Sequence, residues 1–295
     1  MGEEMKVLLR FLIRIVLILV SFLFVFNLPS LLGIGKDRVQ LNVHTFWSYV
    51  SSDFQSLITV NNPEYWEFLQ TVDLAESYRY TMAILLLSLL LVTILSVGIA
   101  VVVIVSPPKL RNLLKTIINF FEGVPDLLII FLFMFLVVTL YKTTGLKFLQ
   151  LYGVFGKKPY FVPIMTVSFL PFFLMLQFLL KVISDEEGQP YVEYARAKGI
   201  GQVRVLIVHI FRHIFPLAIF QLRTIVWVLL SNIYLVESIF NINGFNQQLL
   251  NIISFGGNIT TLVIFLLMLT IPLLTIESIG WLLSRTVKGK EEASI

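Results

Sequence analysis

The chain has 295 residues, of which 57% are hydrophobic and 14% charged, and a mean hydropathy of +0.89, which excludes a soluble globule with a polar surface and marks an integral membrane protein. It contains no cysteine, so disulfides, thiolate metal sites and cysteine nucleophiles are excluded. The formal net charge of +4 is modest and the basic residues gather at the ends of apolar runs, so nucleic acid is not implied as a partner.

Residues 8–32 form the first apolar run, flanked and entered by Lys6, Arg10 and Arg14, and are long enough to cross a hydrocarbon core of roughly 30 Å. No small-residue cleavage site follows, so the run reads as an uncleaved span. Residues 33–79 are the one long polar stretch. Within it Phe46, Val50, Phe54 and Leu57 fall at helical spacing, while Asn62, Pro63 and Glu64 read as a cap opening another helix. Acids outnumber cations there, as expected of an external cap that would either meet a solute-binding protein or form a helical lid over the spans.

Spans two and three are expected at about 81–105 and 117–140, joined by SPPKLRNLLK. In that joint Pro107 and Pro108 break the helix, and Lys109, Arg111 and Lys115 mark a cytoplasmic turn. Glu122, Gly123, Pro125 and Asp126, near the start of span three, read as a pore-side bend or as the cytoplasmic end of a helix. Residues 141–160 form a short outer loop whose lysines run against this orientation, although the chain as a whole places both termini in the cytoplasm. Spans four, five and six follow at about 161–183, 214–235 and 259–283. Residues 236–258, rich in Asn, Gln and Gly, read as an external turn or a short re-entrant element, and no inverted repeat is visible. The expected organisation is a first span over 1–32, an external cap over 33–79 and a core over 80–295.

A polar loop at 184–213 interrupts this apolar core. Pro190 suits a first helical turn, Glu193 sits in that turn, and Gly199 with Gly201 can end it, which predicts a short helix over 190–198 and a second helix starting near Gln202. Arg196, Lys198, Arg204 and Arg212 make the segment basic, and Ala195 and Ala197 offer small side chains over which another protein could close. His209 and His213 stand four apart, as in zinc hydrolases, but Ile210 occupies the place of the glutamate base, so they read as interfacial or partner-facing. No metal site and no catalytic residue is expected.

Arg223 lies about two turns into span five, where a charge costs on the order of 3 kcal/mol, so it requires a polar interior or a partner such as Glu122 or Glu277. Glu237 and Glu277 raise the same question near the membrane faces, with snorkelling to the interface as the ordinary outcome. Glu122, Pro125, Arg223, Asn232 and Glu237 are the pathway candidates. Neither Gly35-Lys36 nor Gly289-Lys290 carries the upstream glycine of a phosphate loop, since Ser30 and Ser284 stand there.

The ordered pattern Glu193, Ala195, Gly199, followed by His209, Arg212 and Pro216, resembles the EAA loop of binding-protein-dependent ABC importer permeases. The form YARAKG resembles the dipeptide, oligopeptide and nickel branch. The resemblance resumes at Glu237, Phe240 and Gly244 in LVESIFNINGF, and more faintly at Thr81 and Pro125. It implies an all-α membrane protein of about six transmembrane helices with the type I ABC importer permease fold, and a coupling helix between spans four and five. It assigns ATPase coupling to Tyr191, Glu193, Ala195, Arg196, Ala197, Lys198, Gly199, His209 and Arg212. The partners it implies are a second permease subunit in a heterodimer, two ATPase subunits that bind ATP and Mg, an external substrate-binding protein and membrane lipid; this chain itself holds no cofactor. The setting implied is the bacterial cytoplasmic membrane, and the cargo a peptide, with nickel or another small solute, or a self-sufficient secondary transporter, as the alternatives. Two departures stand out: Tyr194 replaces the usual alanine, and residues 31–36 read LLGIGK where the branch has a proline-glycine-aspartate turn.

Overall fold

The computed structural model describes residues 13, 17, 20–34, 39–58, 73–145, 158–254 and 259–292. The cap expected at Asn62 and the cations Lys6, Arg10 and Arg14 lie outside them. The chain divides into two compact units, Met1–Asp73 with Leu249–Met268 and Leu74–Gln248 with Leu269–Ile295.

In the first unit, helix α1 (Val20–Leu31) closes in a 3-10 turn over Leu28–Leu31. Two short strands follow, β1 (Leu32–Ile34) and β2 (Val39–Leu41), antiparallel with Leu32 opposite Leu41. Helix α2 (Val43–Ile58) buries Phe46 and Val50, two of the residues singled out by their spacing, while Phe54 of the same set is exposed. The Phe24 ring meets Phe46 at 5.9 Å and Trp47 at 5.7 Å, and Asn27 Nδ2 donates to Asp53 Oδ2 at 2.8 Å. Helix α2, the described helical part of the polar stretch, packs on α1 through this aromatic cluster.

The second unit holds α3 (Leu74–Val105), α4 (Pro108–Glu122), α5 (Asp126–Thr144), α6 (Phe161–Glu187), α7 (Pro190–Ala197) and α8 (Gln202–Ile239). Helices α9 (Phe245–Ser254) and α10 (Ile259–Glu292) complete the chain. Among the described residues α3, α5, α6 and α8 are long and apolar enough to cross a membrane, and Val20–Leu31 and Thr261–Ile276 are shorter apolar helices. The 32 residues of α3 span about 48 Å at 1.5 Å each, so it projects beyond the hydrocarbon. Its buried face alternates Thr81, Ser88, Ser96 and Ala100 with Leu85, Val92 and Val103. Small side chains at such spacing let helix backbones approach closely without a hydrophobic drive. Helix α3 packs mainly on α6, and α8 lies against both.

The third span starts at Asp126 and not near residue 117. Residues 108–122 form the separate amphipathic helix α4, and Gly123–Pro125 breaks the chain because Pro125 lacks an N–H and disfavours helical geometry at Val124. Asp126 then falls in the first turn of α5, where a negative group complements the helix dipole. Pro171 and Pro216 lie inside α6 and α8, as neighbouring helices permit in a membrane.

Candidate functional site

Helix α7 is built by local chemistry. Gln189 is extended, Pro190 occupies the first turn and Glu193 follows in it. At the other end Gly199 takes φ +76°, its N–H donates to the Arg196 carbonyl at 2.9 Å, and the Ile200 N–H reaches back to the Ala195 carbonyl at 3.3 Å. This pair of bonds is the Schellman closure, which needs a left-handed residue at that position. Gly201 then leads into α8, whose first turns include a π-helical segment at Val205–Ile210.

One face of α7 is fixed to the membrane helices. Val192 and Ala195 are buried in the core. The Tyr191 hydroxyl donates to Glu186 Oε2 at 2.5 Å, and its ring lies 4.6 Å from that of His213. Burial first, and then Glu186, raise the Tyr191 phenol above its ordinary pKa. Arg196 Nη2 lies 3.3 Å from Glu187 Oε1, while Glu187 Oε2 lies 2.9 Å from Arg111 Nη2. Gln202 Nε2 donates to the Ile104 carbonyl at 3.2 Å. Glu186 and Glu187 occupy the last turn of α6, where negative charge opposes the helix dipole and is offset by these donors.

The other face is exposed among the described residues. Glu193, Tyr194, Arg196, Ala197 and Lys198 are exposed, and Lys198 Nζ sits 4.4 Å from the centre of the Tyr194 ring, which is 64% exposed. Val203, Ile207, Val208 and Arg212 are exposed next to it along the chain.

At the far end of α8 a second cluster forms. Glu237 is fully buried and accepts from the Thr81 hydroxyl and, at 3.0 Å, from the Asn246 N–H. The Thr81 oxygen in turn accepts from the Phe245 N–H at 2.9 Å. The carboxyl group and hydroxyl thereby satisfy the first amides of α9, which no residue within that helix can reach. A Cβ on Gly244 would collide with the Glu237 carboxyl group. Phe240 is fully buried. The structure thus brings together Thr81, Glu237 and Gly244 of the outlying positions of the resemblance, whereas Pro125 lies apart, before α5.

A cavity of about 620 Å³ opens between α4 and α6, lined by Lys115, Asn119, Glu122, Gln177, Lys181 and Asp185 among others. Gln177 Nε2 donates across it to Asn119 Oδ1 at 3.2 Å.

A family model described as the binding-protein-dependent transport system inner membrane component matches residues 93–287, taking in α7, the Glu187 bridge, the cavity and Glu237. The chain belongs to that family. No curated protein matches the sequence. Among solved structures, one of the MetNI methionine ABC transporter in inward-facing conformations matches with a TM-score of 0.56 at 18% identity, over 72% of this chain and 95% of that one. That likeness shows the shared type I ABC importer permease fold. The chain is a permease subunit of a binding-protein-dependent ABC importer, and the family is not itself catalytic.

The permease brings the coupling candidates Tyr191, Glu193, Ala195, Arg196, Ala197, Lys198 and Gly199 together on one short helix and its cap, with His209 half-buried and Arg212 exposed at the start of α8. The pathway candidates are dispersed. Glu122 lines the cavity, Pro125 is exposed at the break before α5, and Arg223 is exposed on α8. Asn232 is buried, and its Oδ1 has no hydrogen-bond partner among the described residues. Glu237 does not snorkel to an interface but is enclosed by the α9 amides. The sequence reading gave no part to Glu186 and Glu187, and read Arg111 only as marking a cytoplasmic turn. Their signal was present in three consecutive acids ending a helix, a placement that requires nearby donors.

Proposed function

We propose that residues 191–212 are the element through which a separate ATPase drives this permease. The observation that carries the reading is the two-faced construction of α7. Its inner face buries Val192 and Ala195 and is tied through Tyr191, with Arg196 paired to Glu187 at its flank, whereas its outer face presents a ring, a cation and an acid to the surroundings. A surface of this kind suits a cleft in another protein, with the aromatic ring as anchor. ATP and Mg bind to that partner, since no phosphate loop stands in this sequence. In this reading two ATPase subunits, a second and different permease chain and an external binding protein complete the importer. Both termini face the cytoplasm of a bacterial cell, and rocking of the spans follows closure of the ATPase pair.

The cargo is a peptide. Support comes from the YARAKG loop, which resembles the dipeptide, oligopeptide and nickel branch, in which peptides are the commoner cargo. The test is uptake by membrane vesicles containing the full importer, with labelled di- and oligopeptides, nickel and free amino acids offered in parallel. ATP-dependent accumulation of peptide alone supports the assignment, and accumulation of nickel with no peptide uptake replaces it.

A further inference from the structure

The Glu187 side chain is 18% exposed and gives one carboxylate oxygen to each of two arginines, Arg196 on α7 and Arg111 in the first turn of α4. Among the described residues no other side chain makes hydrogen bonds or ion pairs to both of those helices. From Arg111, Lys115, Asn119 and Glu122 follow at intervals of four, four and three, which puts all four on one face of α4. Lys115, Asn119 and Glu122 line the cavity on its α4 side, and Gln177, Lys181 and Asp185 line it on α6. The bridge therefore joins the loop at one end of α4 to the cavity wall along its length. Helix α4 is a separate segment, with Ser106–Pro107 between it and α3 and Gly123–Pro125 between it and α5.

We infer that Glu187 is a positioning residue that transmits displacement of α7 to α4, so that the cavity wall bearing Lys115, Asn119 and Glu122 shifts when α7 is pushed. The inference rests on the reading that α7 receives the ATPase. Two opposed ties make it work: Tyr191–Glu186 holds α7 to α6, while Arg196–Glu187–Arg111 carries its motion across the α6 end to α4. Guanidinium–carboxylate pairs suit this task, being directional and stronger than neutral hydrogen bonds.

The test uses the purified importer complex in lipid nanodiscs. The native absence of cysteine allows a single reporter, Thr116→Cys, on the exposed side of α4. Maleimide labelling of this chain is timed without nucleotide and with ATP plus vanadate. In the otherwise wild-type chain the labelling rate changes at least about fivefold between the two states, the lower end of ordinary coupling strengths. Arg111→Ala and Glu187→Gln reduce that change to less than about twofold while the ATPase still co-purifies, and the conservative Arg111→Lys restores it. Arg111→Ala leaves the Arg196 pair in place, so it decides the matter if Glu187→Gln fails to assemble. A full response in Arg111→Ala overturns the inference, as does an unresponsive reporter in the wild-type background. Loss of ATPase from both variants assigns the bridge to docking and also overturns it. If the wild-type complex holds no ATPase on α7, the reading of α7 fails first, and the inference with it.

Discussion

Gly199 and Gly244 lie at motif positions just beyond opposite ends of α8, whose 38 residues rise about 57 Å at 1.5 Å each, and they are glycine for different reasons. At Gly199 the backbone is left-handed and nothing lies within 4 Å of where a Cβ would stand. At Gly244 the backbone is not left-handed, but the Glu237 carboxyl group already fills the place of a Cβ. The loop glycine is thus conformational, and the outcome of replacing it depends on backbone preference. The far glycine is steric, and its replacement must displace a hydrogen-bonded acid. One region is built to be touched from outside, the other to be closed from within.

The sharpest way to break this comparison is Gly244→Ala. The new methyl can be accommodated only if Glu237 leaves Thr81 and the α9 amides, so a destabilisation of about 3 kcal/mol is expected, at the upper end of overpacking costs. Thermal denaturation followed by size-exclusion recovery measures it. Glu237→Ala removes the obstruction, so the double variant should be no less stable than Glu237→Ala alone, a strongly non-additive pair. Additive losses would mean that the two residues do not meet.

At Gly199 the expected loss is smaller, about 1–2 kcal/mol for any residue that must adopt positive φ. Because the site is open, Gly199→Ala and Gly199→Leu should cost the same, and Gly199→Asn less, since Asn tolerates the left-handed region. Hydrogen exchange at the Gly199 and Ile200 amides reads the Schellman closure directly. A graded loss with side-chain size would show that an unseen surface closes over this glycine.

Smaller still is Tyr191→Phe, which removes one hydrogen bond to Glu186 at a cost of about 1 kcal/mol. The folded phenol titrates above its ordinary value of 10.0. A group whose folded pKa is raised contributes fully below the unfolded value and loses that contribution as pH rises through the folded one. The difference between wild type and Tyr191→Phe should therefore be flat from about pH 6 to 9 and shrink only in stronger alkali. A difference that changes across neutral pH would mean that this contact depends on a group other than the phenol, the neighbouring His213 ring being the first to test.

Much of this architecture is readable from local rules. The helix expected over 190–198 appears as Pro190–Ala197 because proline and glycine punctuate it within a few residues. The apolar spans announce themselves because lipid requires long, continuous apolar helices. What escaped was set by distant residues. The separation of α4 from α5 is legible only as a pore-side bend or a cytoplasmic helix end within span three, since the apolar residues Ile117, Ile118, Phe120 and Phe121 run up to the break and mask it in a hydropathy window. The Glu187 bridge joins positions 76 residues apart and Thr81 meets Glu237 across 156, distances at which periodicity carries no information. The β1–β2 pair was hidden for the opposite reason, its strands being only three residues each.

The central claim is that α7 presents its outer face to an ATPase and keeps its inner face on the spans. Photo-crosslinking from single cysteines, carried in the cysteine-free chain in intact membranes, tests it at neighbouring positions. Tyr194→Cys and Lys198→Cys, on the exposed face, should each capture the ATPase subunit, and Val192→Cys, at a fully buried position, should capture none. Equal capture from Val192→Cys, or none from Tyr194→Cys and Lys198→Cys, would contradict the account.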